Sequence, residues 1–230
     1  FQNKYLGSFG EFSTFSFFIS HQISSVEGGM ICCKTREDYE ILKALRSHGF
    51  SRGLKNEKML ARKYNKIDSR FLFVNSGFNL RPTDIQAAIG LNQFKSLDSF
   101  VKQRSFNRRL IIKSLMKDKL WNNQVNFLNE NKNVKASWFG IPILFNKKYK
   151  NVKFKIIKKL NYFGIDTRPI ISGNFARQPV VKKYNILKKG MLFPNADYIN
   201  NLGFFIGVPT KKISSKILKM FKDAFFKSFN

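Results

Sequence analysis

His21 lies in a polar turn, with Ser20 before it, Gln22, Ser24 and Ser25 after it, and Glu27-Gly28-Gly29 closing the segment. An imidazole titrates at ~6.5 when unperturbed, so it can accept a proton and give it back near neutral pH. Taken alone, a histidine here is better read as a surface or structural residue of the turn. Ser16, five residues earlier, sets a short hydroxyl donor at the end of a strand-like run, where an ordinary strand-end serine looks the same. Arg81 carries a planar fork suited to a carboxylate, with a surface salt bridge as the competing use. Asn79 tolerates tight turns, so loop geometry accounts for it as well. Glu27 is placed to bond backbone groups of its own turn, and His48 to bridge a helix end and the loop after it. Cys32 and Cys33 are adjacent, which excludes an ordinary disulfide framework and gives no CxxC spacing for zinc or an iron–sulfur cluster. We expect both to be buried strand residues.

The apolar pattern outlines the elements that must hold these residues. Phe12, Thr14, Ser16 and Phe18 alternate with Ser13, Phe15 and Phe17, and Gly28 to Cys33 forms a second short run, so His21 falls in the loop of a strand–loop–strand unit. Thr35 with Asp38 three residues on predicts a helix start, and the face of Tyr39, Ile41, Leu42 and Leu45 runs out at Gly49. Phe50 to Asn79 reads as an irregular surface excursion, broken only by strand-like Phe71 to Val74. Pro82, Thr83 and Gln86 predict a capping box ahead of a small-residue helix around Ala87-Ala88-Ile89-Gly90. A longer helical pattern runs from Leu97 to about Leu120. After an Asn-rich loop at Asn122 to Asn133 come a strand (137–145), a helix (152–163), a strand (165–168), a loop, a helix around Tyr198, a strand (204–208) and a terminal helix (214–229). The expected boundary separates 1–96, the end of a large α/β domain, from 97–230, a small α+β domain.

With 230 residues and 43% hydrophobic content the chain can bury a sizeable core. It contains neither a run of ~18 apolar residues nor a signal-peptide pattern at its start, and a cytoplasmic location is expected. It opens without methionine and passes almost at once into a strand, so we expect a large N-terminal part to precede it. A net charge of +28 raises nucleic acid and anionic membranes as partners. The basic side is 31 Lys against 11 Arg, beside 22 Asn, 26 Phe and only 8 Ala, the bias of an AT-rich genome. The lysines are also spread along the chain and not interleaved with stacking aromatics in one helix, so we expect neither a nucleic-acid nor a membrane partner.

The run from Gly10 to Met30, GEFSTFSFFISHQISSVEGGM, resembles the active-site signature of the DegT/DnrJ/EryC1/StrS sugar aminotransferase family. The likeness continues through Arg46-Ser47-His48-Gly49, through Gly77-Phe78-Asn79-Leu80-Arg81-Pro82-Thr83-Asp84-Ile85-Gln86-Ala87-Ala88 and into Gly207-Val208-Pro209. It implies the C-terminal part of a fold-type-I, aspartate-aminotransferase-like α/β domain with a mostly parallel sheet, followed by the small α+β domain. The position six residues before the glutamate of Glu-Gly-Gly is usually a lysine that holds pyridoxal phosphate through its primary amine. Here it is His21, which has no such amine, and this substitution marks the sugar 3-dehydratase branch. The stretch from Thr167 to Pro179, with its Gly173-Asn174 and Gln178-Pro179, looks like that branch too. No cysteine occurs between Ser47 and Lys55, unlike in the iron–sulfur subgroup on cytidine-linked sugars, and the chain resembles instead the branch that acts on GDP-linked 4-keto-6-deoxymannose.

The resemblance implies pyridoxal phosphate or pyridoxamine phosphate as cofactor, a nucleotide-linked keto sugar as substrate, glutamate as amine donor, and a place in deoxysugar biosynthesis for lipopolysaccharide O-antigen. His21 would take a proton from the cofactor's C4′ carbon and assist departure of the C3 hydroxyl, releasing ammonia and a 3-deoxy-4-keto sugar. Ser16 would bind the cofactor phosphate, Asn79 would reach the phosphate in a neighbouring subunit of a homodimer, and Arg81 would hold a glutamate carboxylate. Arg168, Asn174 and Arg177 are candidates for the sugar-nucleotide pocket. No metal is expected. Two other readings stand beside this one: a sugar aminotransferase that moves an amine from glutamate to a keto sugar, and a non-catalytic family member that binds only a ligand or partner.

Overall fold

Alternating Phe and small polar residues make Phe12–Ser16 a strand (β1), which pairs antiparallel with Gly29–Cys33 (β2) in a register from Phe12 opposite Cys33 to Ser16 opposite Gly29. This is a computed structural model that describes residues 1–188 and 190–230. The chain divides into two compact units, Phe1–Leu97 and Asp98–Asn230.

In the first unit, helix α1 (Arg36–Arg46) starts as its cap dictates: Thr35 Oγ1 accepts from the Asp38 N–H at 3.0 Å. The stretch expected to be irregular holds a second helix, α2 (Glu57–Lys63), seven residues long and too short to show a period. Phe71 to Val74 is not a strand. Phe73 makes a single bridge to Phe50, the two rings stack at 4.6 Å, and a 3-10 turn occupies Ser69–Phe71. Helix α3 (Asp84–Phe94) carries the full capping box, Thr83 Oγ1 accepting from Gln86 N–H and Gln86 Oε1 accepting from Thr83 N–H.

Ala44 and Leu72 are the buried apolar residues of this unit, and α3 buries none of its side chains. The expectation for the cysteines is therefore corrected: both lie on β2, but Cys32 is exposed and Cys33 half-buried. No second layer covers that two-stranded pair among the described residues, so strand position does not bring burial. An open groove of about 740 Å³ between α1 and α2 is lined by Arg36, Glu40, Ile41, Met59, Leu60 and others, and none of the residues singled out for chemistry lines it.

The second unit is built on α4 (Leu97–Met116), β3 (Val125–Phe127), β4 (Gly140–Phe145), α5 (Lys153–Tyr162), β5 (Thr167–Arg168), α6 (Pro179–Lys183), α7 (Pro194–Leu202), β6 (Gly203–Gly207) and α8 (Ser215–Lys227). Its sheet runs β3-β4-β6-β5 and is antiparallel throughout. Period-two alternation sends Ile141, Ile143 and Phe145 of β4 and Phe204 and Ile206 of β6 inward, where they meet Ile111 and Leu115 of α4, Ile156 and Leu160 of α5, and Phe225 and Phe226 of α8. Phe145 and Phe204 stack at 4.7 Å in the middle of this core.

Several boundaries differ from expectation. Strand β3 lies inside the Asn-rich loop, because Val125 is buried opposite Phe145 despite its polar neighbours. The strand expected over 137–145 begins only at Gly140, β5 is two residues long, and α6 is additional. Every ladder among the described residues is antiparallel, and β1 and β2, joined by one helix-free loop, pair as a hairpin. No helix among the described residues is long and apolar enough to cross a membrane.

Candidate active site

The loop that carries His21 is closed by one residue. Phe17 donates its N–H to the Gly28 carbonyl at 2.9 Å, and its own carbonyl accepts from Ser25 N–H at 3.0 Å. Within the loop, His21 N–H donates to the Phe18 carbonyl at 2.9 Å, and the two rings meet edge to face with centroids 6.0 Å apart. Phe18 N–H in turn donates to Ser16 Oγ at 3.3 Å. Phe18 thus ties the two residues together: the His21 ring is exposed, and the Ser16 hydroxyl, acting there as acceptor, keeps its own hydrogen to donate.

The end of the loop shows what Glu-Gly-Gly contributes. Ser25 is buried and its Oγ donates to the Glu27 carbonyl at 2.8 Å, so the bond from Ser25 engages the Glu27 backbone. Gly28 has φ 156, and a Cβ there would come within 2.5 Å of Ser25 Oγ. Val26 holds φ 73, a conformation that costs a β-branched residue ~1–3 kcal/mol and persists only where surrounding bonds impose it. Gly90 of α3 faces this turn, with room for a Cβ 3.7 Å from Ser25 Cβ.

Asn79 and Arg81 sit on a strap across the end of α1. Phe78 N–H donates to Leu45 O, His48 N–H to Phe78 O and Leu80 N–H to Arg46 O, while Ser47 and Asn79 form a bridge. Gly49 and Gly77 make the crossing possible: a Cβ on Gly49 would lie 1.7 Å from Asn75 O, and one on Gly77 would lie 2.2 Å from Gly49 N. The Arg46-to-Gly49 and Gly77-to-Leu80 motifs are therefore one brace. His48 has φ 59, and its ring rests edge-on against Phe50 at 5.5 Å. Arg81 Nε donates to Asn79 Oδ1 at 3.3 Å, and both residues are exposed. No hydrogen bond or ring contact joins this pair to Ser16 or His21 among the described residues.

In the second unit, Arg168 is exposed on β5 with Asp166 3.4 Å away. Asn174 is buried; its Oδ1 accepts from Ala176 N–H at 3.0 Å and its Nδ2 donates to Asp197 Oδ1 at 2.6 Å. Arg177 Nε donates to that same oxygen at 2.6 Å. The Arg177 guanidinium, and after it the Asn174 amide, hold the Asp197 carboxyl below the usual carboxylate range. Asp197 escaped sequence reasoning because an acid in the first turn of a helix, three residues after Pro194, already has an ordinary explanation in the helix dipole. Its partners lie 20 and 23 residues upstream, and no local spacing links them. The far end of α7 is also fastened, the buried Lys153 Nζ donating to Asn200 O at 2.9 Å, and burial pushes the Lys153 ammonium pKa down.

The profile of the DegT/DnrJ/EryC1/StrS aminotransferase family matches residues 1–210. The chain is 34% identical to the GDP-4-keto-6-deoxy-D-mannose 3-dehydratase of Escherichia coli O55:H7 over 210 residues, covering 90% of this chain and 52% of that protein. It is 30% identical to the enzyme of the same name from Yersinia pseudotuberculosis, covering 95% and 54%. The solved structure of E. coli GDP-4-keto-6-deoxy-D-mannose-3-dehydratase with bound hydrated PLP superposes with a TM-score of 0.84 at 30% identity, over 98% of this chain and 57% of that one. The chain spans about half the length of these relatives. Its fold is that of the PLP-dependent sugar aminotransferases and dehydratases, and the match over residues 1–210, with the His21 loop and the Asn79 strap inside it, makes the chain a member of the DegT/DnrJ/EryC1/StrS aminotransferase family.

Proposed function

We propose that this chain is the C-terminal portion of a pyridoxal phosphate- or pyridoxamine phosphate-dependent nucleotide-sugar 3-dehydratase, which removes the C3 hydroxyl of a 4-keto-6-deoxy sugar nucleotide. The observation that carries the reading is His21: an imidazole on the crest of a loop closed by Phe17, in the place where the family usually has lysine. The similarity to GDP-4-keto-6-deoxy-D-mannose 3-dehydratases supports it.

The donor set fits the cofactor's phosphate. Ser16 keeps an O–H to donate, and Asn79, whose Oδ1 is taken by Arg81, keeps its amide N–H groups. Pyridoxamine phosphate, when bound, supplies the amine and the electron sink of the reaction. His21 has no amine with which to capture the cofactor, so it stays free to take a proton on a ring nitrogen and deliver it to the departing hydroxyl. Arg81 uses Nε on Asn79 and has its Nη pair left for the carboxylate of glutamate. In the second unit, the exposed Arg168 and Arg177 are the candidates for the nucleotide sugar, while the amide of the buried Asn174 is occupied by Asp197 and Ala176. A cytoplasmic homodimer, in which Asn79 serves the cofactor phosphate bound by a second copy, completes the reading, with neither nucleic acid nor membrane as partner.

The test uses the full-length protein with pyridoxamine phosphate, glutamate and GDP-4-keto-6-deoxymannose, following ammonia and the mass of the sugar. Ammonia together with loss of the C3 oxygen is expected. An amino sugar without ammonia would make the protein an aminotransferase, and no turnover with no cofactor binding would make it a non-catalytic member of the family.

A further inference from the structure

Asp197 Oδ1 receives two hydrogen bonds, from Asn174 Nδ2 and from Arg177 Nε, each at 2.6 Å. The two donors are in different situations. Asn174 is 5% exposed and its amide is occupied at both ends, by Asp197 and by Ala176 N–H. The Arg177 side chain is 63% exposed, and only Nε of its five N–H donors is engaged among the described residues. What remains is the end-on pair of Nη groups, with the Asp197 carboxylate bonded at Nε behind them.

The mounting is rigid. Gly173 has φ 64 and packs so closely on α7 that a Cβ would lie 2.1 Å from Asn200 Oδ1, while Lys153 Nζ fastens the adjacent Asn200 carbonyl. The segment bearing Asn174 and Arg177 is thus seated on α7 at both Asp197 and Asn200. The unit as a whole carries a charge that favours anions: from Asp98 to Asn230 there are 28 Lys and Arg against six Asp and Glu. A guanidinium held at Nε and open at both Nη groups matches the geometry of a phosphate oxygen pair.

We infer that Asp197 is a positioning residue that orients the Arg177 guanidinium toward the diphosphate of the nucleotide-linked substrate, with Asn174 as a strut and not a ligand. This rests on the nucleotide-sugar reading above and adds to it a residue and a division of labour. Asp197 itself touches no substrate, and its loss acts through Arg177.

The experiment measures GDP binding to the full-length protein by calorimetry, together with kcat and KM, for wild type, Asp197→Ala, Asp197→Asn, Arg177→Gln and the Asp197→Ala/Arg177→Gln pair. Asp197→Ala is expected to weaken GDP binding and raise KM by roughly tenfold with kcat nearly unchanged, the pattern of a lost binding contact. Arg177→Gln is expected to match it, the double variant to be no worse than either single one, and Asp197→Asn, which keeps an oxygen acceptor, to recover part of the loss. Unchanged GDP affinity in Asp197→Ala, additive losses in the pair, or a fall in kcat at constant KM would each overturn the inference. Should Asp197→Ala fail to fold, Asp197→Asn and Arg177→Gln decide it, and wild-type affinity in both overturns it. A wild-type protein that binds none of GDP, UDP, dTDP or CDP overturns the nucleotide-sugar reading and this inference with it, whereas wild-type binding that the variants leave unchanged overturns this inference alone.

Discussion

Ser16 and His21 share Phe18 as a common bonding partner, so each can be altered with the other's backbone anchor intact. Ser16→Ala removes one charge-assisted hydrogen bond to the proposed phosphate and is expected to weaken pyridoxamine phosphate retention by about 10- to 100-fold in a dialysis or fluorescence titration. Unaltered retention would remove Ser16 from the site. A pH effect belongs to Asp68, whose carboxyl is held down to about 2 by the hydrogen-bonded side chain of Arg70 and then by Arg70 N–H. Its folded pKa lies below the unfolded value, so the stabilisation is present above the usual carboxylate pKa and is lost as pH falls through about 2. A carboxyl titration by NMR with its midpoint near the ordinary value would contradict this. His21, Ser16, Asn79 and Arg81 were proposed from the sequence because each sits in a contiguous motif. Asp197 was not, because its meaning depends on two side chains more than 19 residues away that only the fold brings to it.

At the scale of elements, local chemistry was the most readable. Thr83 and Gln86 close their capping box as the spacing predicts, and Thr83→Ala is expected to cost about 1 kcal/mol in a denaturant melt of the full-length protein. The long helices and strands β1, β2, β4 and β6 also lie where their apolar runs place them. Helix α2, helix α6 and strand β3 did not, since seven, five and three residues are too few to reveal one. Burial on β2 did not follow from strand position in this chain, where Cys32 is exposed. In the second unit, where a layer of helices covers the sheet, the alternation does report burial. Phe145→Ala, which empties a fully buried position stacked on Phe204, should destabilise that unit by ~3–5 kcal/mol in a thermal or urea melt.

At the scale of the molecule, the two units differ in what they bury. The second has one continuous core on α4, α5, α8 and the four-stranded sheet, and a fragment spanning 98–230 is expected to unfold cooperatively. The first leaves Phe12, Ile31, Phe78, Leu80, Ile85, Leu91 and Phe94 exposed with only Ala44 and Leu72 as buried apolar residues, so a fragment spanning 1–97 should show no cooperative melt by circular dichroism. A sharp transition in 1–97 would contradict that account. The residues proposed for proton transfer and for the cofactor lie on that unit, and His21 is the one on which the proposed reaction depends. Its most direct test is ammonia release by full-length His21→Asn at saturating pyridoxamine phosphate, glutamate and keto sugar, with cofactor binding measured alongside. A rate lower by ~10²–10⁴-fold with the cofactor still bound is expected, as the loss of a general base requires; ammonia release within a few-fold of wild type would show that His21 is not the base.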